Sequence, residues 1–177
     1  MAGEADIRFA QSDSDQPQQV YCQGHNVTEE IRSLPVDDAV SAVAAIQGVR
    51  EALVEAQRKL AADENVVMDG RDIGTVVLPQ AECKIFLTAS AEERARRRKK
   101  DREGKAPEQS LEEIIAEIKK RDYEDSHRKN SPLKQAEGSF ILDTTTLGFS
   151  EAVDAAARLI RASQYSNHAA RQAGTGG

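Results

Sequence analysis

Three stretches of this chain bring together residue types suited to chemistry on a phosphate. Asp69-Gly70-Arg71-Asp72 sets two carboxylates and a guanidinium around a glycine at the end of an apolar run. Gly70 lets the backbone turn close to a ligand, Arg71 can fork onto a phosphate, and Asp72 can accept hydrogen bonds from an amino group such as that of cytosine. A bare Asp-Gly turn with incidental charges explains the same residues, and their place at a strand end favours the ligand. Further on, Arg121, Asp125 and Arg128 stand at i, i+4 and i+7 and share one helical face, a carboxylate between two guanidiniums. Such a face holds a phosphate while the Asp orients the arginines or takes a sugar hydroxyl; a solvated, ion-paired surface has the same spacing. Finally, the run Arg94 to Lys100 aligns Arg94, Arg97 and Arg98, which suits closure over a polyphosphate and stabilisation of charge in a transferring group. Its alternatives are a solvated helix face and a nucleic-acid patch, the latter disfavoured because no aromatic residues interleave the run.

The elements that must position these residues follow from local pattern. Asp6 to Ala10 and Gln19 to Gln23 read as strands around the polar stretch Gln11 to Gln18, a hairpin. Thr28, followed by Glu29, Glu30 and Ile31, reads as the cap of a short helix. Asp37 to Ala45 and Val49 to Ala62 carry apolar residues at helical spacing, with a break near Gln47 and Gly48. Asn65 to Met68 and Lys84 to Thr88 read as buried parallel strands. Ser90 with Glu93 is a capping-box pattern opening the basic helix, which should stop near Gly104 and Pro107; Ser110 caps the next helix, on Leu111, Ile114, Ile115 and Ile118. Ser139 to Asp143 is a last strand and Ser150 to Ala162 a last helix capped by Ser150, after which Ser163 to Gly177 reads as a disordered tail. Strands followed by helices give an α/β sheet with ligands at the carboxyl ends of its strands, a rim formed by Asp69 to Asp72, Thr88 to Ser90 and Asp143 to Thr146.

Composition narrows the functional classes. The 177 residues carry a formal charge of −6, which argues against a general nucleic-acid binder while leaving arginine clusters free to meet small anions. Apolar runs are too short for a membrane span and no signal peptide opens the chain, so a cytoplasmic protein is expected, with one domain the default for this length. Cys22 and Cys83 lie far apart without neighbouring ligands and are expected as buried thiols rather than a disulfide or zinc site. A phosphotransferase of this class normally has a Gly-rich loop ending in Gly-Lys-Ser/Thr; the single Gly-Lys pair, Gly104-Lys105, lacks the earlier glycine and follows a helix.

Taken in order, Glu30-Ile31-Arg32, Val49-Arg50-Glu51-Ala52-Leu53, Asp69 to Val77, Lys84 to Ser90 and Ile118 to Asp122 resemble the bacterial cytidylate kinases, over roughly residues 6 to 160. The resemblance implies an α/β nucleoside monophosphate kinase fold with a parallel sheet and flanking helices, a small nucleotide-binding insert over about residues 6–62, and a remaining core with a helical lid over 63–162. It implies phosphoryl transfer from ATP to CMP or dCMP with Mg²⁺, by a monomer acting on neither nucleic acid nor membrane. Ser41, Arg50 and Asp72 would read the cytosine edge, Arg71 and Arg128 would hold the CMP phosphate, and Arg121 and Asp125 would contact the sugar and its surroundings. Arg71, Arg128, Arg94 and Arg97 would carry catalysis, the helix from Arg94 to Lys100 would open the lid over ATP, and Asp69 would help organise magnesium through water. The family begins with a strand, the phosphate loop and its helix, whereas this chain starts at the insert. It is therefore expected to be weakly active or inactive as given, with Met1 an internal methionine of a longer chain; a CMP-binding module without transfer is the alternative.

Overall fold

The computed structural model describes residues 6–10, 18–62, 65–104 and 108–173. They fall into two compact units, one through Val67 and one from Met68.

The first unit opens with the expected hairpin. β1 (Ile7–Ala10) pairs antiparallel with β2 (Gln19–Cys22), which pairs in turn with the two-residue β3 (His25–Asn26). The β2–β3 turn is Gln23-Gly24, both at positive φ (50° and 80°), a two-residue reversal whose twist matches that of its strands. Residues 11–17 of the expected loop lie outside the described residues. Thr28 corrects the sequence reading: it caps no helix. Its hydroxyl accepts from Val20 N–H (2.9 Å) and donates to Asn26 Oδ1 (2.7 Å), so it stitches the end of the sheet. The turn that follows, Glu30–Arg32, is a 3₁₀ helix without a side-chain cap. Helices α1 (Leu34–Ala44) and α2 (Gln47–Ala62) then confirm the two periodic segments, but the break between them falls at Ala45 and Ile46, and Gln47 and Gly48 open α2 instead of interrupting it. Their stripes are not fully buried: Val40, Val43, Leu53 and Leu60 are exposed, and Thr28 alone is buried among the described residues of this unit.

The second unit is built on a parallel strand pair, β4 (Ile85–Thr88) beside β5 (Phe140–Asp143), in register from Ile85↔Phe140 to Thr88↔Asp143. Between them run α3 (Ala91–Arg102) and α4 (Leu111–His127), and α5 (Phe149–Ala173) follows β5. The core lies between α3 and α4, where Ala95, Ile114 and Ile118 are buried against Ala91, Leu111 and Ile115. Both helices begin as their sequences dictate. Ser90 Oγ accepts from Glu93 N–H, and Ser110 and Glu113 form a full reciprocal capping box.

Four expectations fail here for identifiable reasons. Asn65 to Met68 forms no strand, and Val67 is 97% exposed; a strand exists only as part of a hydrogen-bonded ladder, and no described strand pairs with this run. Ser150 does not cap the last helix, because the helix already includes Phe149 and the Glu151 carboxylate takes Gly148 N–H at 2.8 Å. The helix also runs on through Ala173 rather than dissolving at Ser163: the segment is rich in strong helix formers, and Ser163 is buried with its hydroxyl donating to the Glu82 carbonyl. Residues 174–177 lie outside the described residues. Both cysteines are free and half-buried rather than buried: Cys22 ends β2, in a unit where Thr28 alone is buried among the described residues, and Cys83 lies in the loop ahead of β4. No described helix is long and apolar enough to cross a membrane.

Candidate functional site

Local chemistry sets the backbone that carries Arg71 and Asp72. After Asp72 the chain enters a one-turn π helix, Ile73–Val77. The Asp72 carbonyl accepts from Thr75, Val76 and Val77 N–H at 3.3, 2.8 and 3.2 Å, and Leu78 N–H reaches Ile73 C=O at 2.7 Å. This wide turn buries Asp72 and Val77. Gly70 is needed here for space rather than for an unusual φ, since a Cβ would lie 2.9 Å from Ile73 Cγ1.

Opposite stands the last turn of α4. Asp125 is buried, and its carboxylate accepts from Arg71 Nε at 2.9 Å while Arg128 Nη1 lies 3.7 Å from its other oxygen. The carboxylate thus sits between two guanidiniums, as the helical spacing suggests, but one of the two differs from the expected pair. Arg71, 54 positions away in sequence, takes the place expected for Arg121. Arg121 makes no such contact with Asp125, and its Nε is buried with no hydrogen-bond partner among the described residues. Side-chain exposure is 46% for Arg71, 19% for Arg128 and 12% for Asp125, so Arg71 is the reachable guanidinium while Arg128, its Nη2 buried, and the acid are largely covered.

Arg94 and Arg97 serve a different arrangement. Arg94 forms a bidentate pair with Asp122 (2.9 and 2.5 Å) and donates from Nε to Ala89 C=O, contacts that raise its already high pKa, chiefly through the Asp122 hydrogen bonds. Arg97 donates to Glu93, to the Thr144 hydroxyl and carbonyl, and to Leu147 C=O. Thr144, 3% exposed, also bonds Thr88 C=O through both its N–H and its hydroxyl. Ser90 N–H meets the Thr145 hydroxyl, which donates in turn to Asp143. The strand ends Thr88 and Asp143 therefore do share a rim with Ser90 and Thr145, and Arg97 fastens α3 to it. The structure does not bring Arg94 and Arg97 into the Arg71–Asp125–Arg128 cluster.

In the first unit, Arg50 lies half-buried on α2 and donates to Ala44 C=O at 3.2 Å, while Ser41 lies on α1 and its side chain is outside the described residues. Asp69 is exposed. Among the described residues no group of three His, Cys, Asp or Glu side chains converges on a point that could hold a metal, so Asp69 by itself does not fit a resident ion. Arg128 Nε also donates to Ser131 C=O at 2.6 Å; the sequence marks neither Ser131, in a short polar loop, nor a particular role for Thr144 within the expected rim.

Acid should loosen the caps first. Glu93 is held below its ordinary value of 4.5 chiefly by the Arg96 hydrogen bond, Glu113 below 4.5 chiefly by Ser110 N–H, and Asp143 below 3.8 chiefly by the Thr145 hydroxyl. A folded-state pKa below the unfolded one means that the stabilisation is complete above the ordinary value and disappears as pH falls through the lowered one. Melting curves taken from about pH 6 to pH 3 should show this acid limb, and Glu113→Gln should flatten it while lowering the plateau; an unchanged limb would remove Glu113 from the account.

Comparison with known proteins converges on the same architecture. The parallel strand pair with flanking helices is that of a nucleoside monophosphate kinase-like α/β fold. A family model described as cytidylate kinase matches residues 1–162, and the chain belongs to that family. It is similar to a cytidylate kinase from Caldanaerobacter subterraneus subsp. tengcongensis, 53% identical over 144 residues, covering 81% of this chain and 64% of the relative. It is also similar to a cytidylate kinase from Streptococcus pneumoniae, 52% identical over 148 residues, covering 84% and 66%. The chain thus spans about two thirds of the length of the curated relatives it matches.

Proposed function

We propose that this chain carries the acceptor side of a (d)CMP kinase, which moves the γ-phosphoryl group of ATP onto CMP or dCMP to give ADP and CDP or dCDP. The observation that carries the reading is the buried Asp125 bracing Arg71 and Arg128, with the orphan Arg121 Nε on the same helix. Two guanidiniums fixed by one carboxylate present planar donor pairs to a phosphate, which is how an anionic acceptor is held in line for attack. In this reading Arg71 and Arg128 bind the CMP phosphate, Arg121 and Asp125 meet the sugar and its surroundings, and Ser41, Arg50 and Asp72 read the cytosine edge. The attacking atom is a CMP phosphate oxygen, and no covalent enzyme intermediate is required. ATP enters as its Mg²⁺ complex, a substrate, with Asp69 touching the ion through water. A monomer working on free nucleotides in the cytoplasm, away from nucleic acid and membrane, suits the net charge of −6.

A second reading, a CMP-binding module without transfer, is favoured by the internal engagement of Arg94 and Arg97, which leaves their donors on protein carbonyls and carboxylates. Thermal unfolding with millimolar CMP, UMP and cytidine tests the shared pocket: CMP at roughly 100 times its Kd should stabilise by about 2.7 kcal/mol, and UMP and cytidine by less. No CMP-specific shift would overturn both readings. Formation of CDP from ATP and CMP would then exclude the second.

A further inference from the structure

We infer that Ser131 is a positioning residue for the acceptor phosphate, acting on Arg128 through its backbone carbonyl; the inference rests on the acceptor-pocket reading above. α4 ends at His127 and the chain reverses at once, with Leu133 N–H donating to Asp125 C=O at 2.8 Å. Within that reversal Ser131 stands at φ 50°. Among the described residues the other non-glycine at positive φ is Gln23, in the hairpin turn, where the turn type demands it. No such demand applies at Ser131, and Pro132 follows it, whose ring pushes the preceding residue toward extended backbone. A left-handed residue ahead of proline is disfavoured on both counts and persists only where its surroundings over-determine it.

The conformation gives direction to a carbonyl. Ser131 C=O accepts from Arg128 Nε at 2.6 Å, while Nη1 of the same guanidinium faces Asp125 Oδ1 at 3.7 Å. A guanidinium is planar, so fixing Nε and one terminal nitrogen fixes the plane of the whole fork. Asp125 carries the charge that attracts Arg128, and Ser131 sets its angle. Because Asp125 also receives Arg71 and, through its own carbonyl, Leu133 N–H, the reversal and the two-arginine cluster are one assembly. The bond is made by backbone, so the side chain at 131 matters only through the φ that it permits.

The test compares CMP with cytidine on the full chain and on Ser131→Gly, Ser131→Ala and Ser131→Val by calorimetry. Glycine and alanine keep the carbonyl and tolerate the left-handed backbone better than a β-branched residue. Both should preserve the ratio of CMP to cytidine affinity. Valine should lower that ratio about tenfold, the scale of one charge-assisted hydrogen bond, with cytidine affinity unchanged. The Arg128 Nε–H, bonded to Ser131 C=O, should exchange slowly with solvent in the parent and fast in the valine variant alone. A merely structural role would weaken both ligands together. An unchanged ratio in Ser131→Val, or a reduced one in Ser131→Gly, overturns the assignment even if one variant folds poorly. A parent chain that binds CMP no better than cytidine overturns the acceptor-pocket reading instead.

Discussion

Asp125→Asn should lower the thermal midpoint by about 8 °C and remove the CMP-dependent shift. Breaking a buried ion pair by deleting one partner costs about 3–5 kcal/mol, and here the figure falls to roughly 2–3 kcal/mol because Arg71 is nearly half exposed and water screens its half of the pair. Asparagine keeps the volume and can still accept one hydrogen bond, so the loss reports charge rather than packing. Two guanidiniums would then face each other without the anion between them. A midpoint within about a degree of the parent would mean that the arginines are held by something other than Asp125.

Ile114→Ala is the other large effect. Ile114 is 1% exposed at the centre of the α3–α4 contact, with Ala95 and Ile118 as its buried neighbours. Removing its outer carbons should cost about 3 kcal/mol, the lost transfer term plus the cavity left between two helices that cannot close fully. Ion pairs bridge the same helices, the exposed Lys119 to Glu92 and the half-buried Arg102 to Glu117, but at 3.5 Å each they are long and cannot replace the core. Chemical denaturation should show a lower midpoint with an unchanged slope. A loss below about 1 kcal/mol would show that α3 and α4 close over the gap.

The sequence pattern revealed those parts of the fold whose causes are local. Ser90 and Ser110 announce helices because a cap and its partner lie three residues apart, and the strands at Ile85 and Phe140 are bounded by polar rims. Asn65 to Met68 misled because β-branched residues describe what a strand is made of, while its existence depends on a neighbour. Thr28 misled in the converse way: followed by acids it resembles a cap, yet Val20 and Asn26 claim its hydroxyl first. The end of α5 was hidden because the polar segment after Ser163 has no clear apolar period, although it also has no helix breaker before Gly174. For the site, spacing put Asp125 between guanidiniums, but the pairing of Arg71 across 54 residues and of Arg94 with Asp122 across 28 is a property of packing. The left-handed backbone at Ser131 is equally invisible, because nothing in Asn130-Ser131-Pro132 marks it.

The capped helix starts carry one more consequence. At Ser90 and Ser110 the first-turn amides are met by serine hydroxyls, Ser90 N–H is taken by Thr145 and Ser110 N–H by Glu113, and acidic residues crowd both ends. Neither end offers an anion the positive cradle that an open helix start provides. In the acceptor-site reading proposed above, phosphate recognition in this unit falls to side chains, and side chains are what genes vary. A site made of backbone amides survives most substitutions, whereas one made of Arg71 and Arg128 can be lost through a single codon, so in a drifting copy of this chain recognition would decay before the fold does.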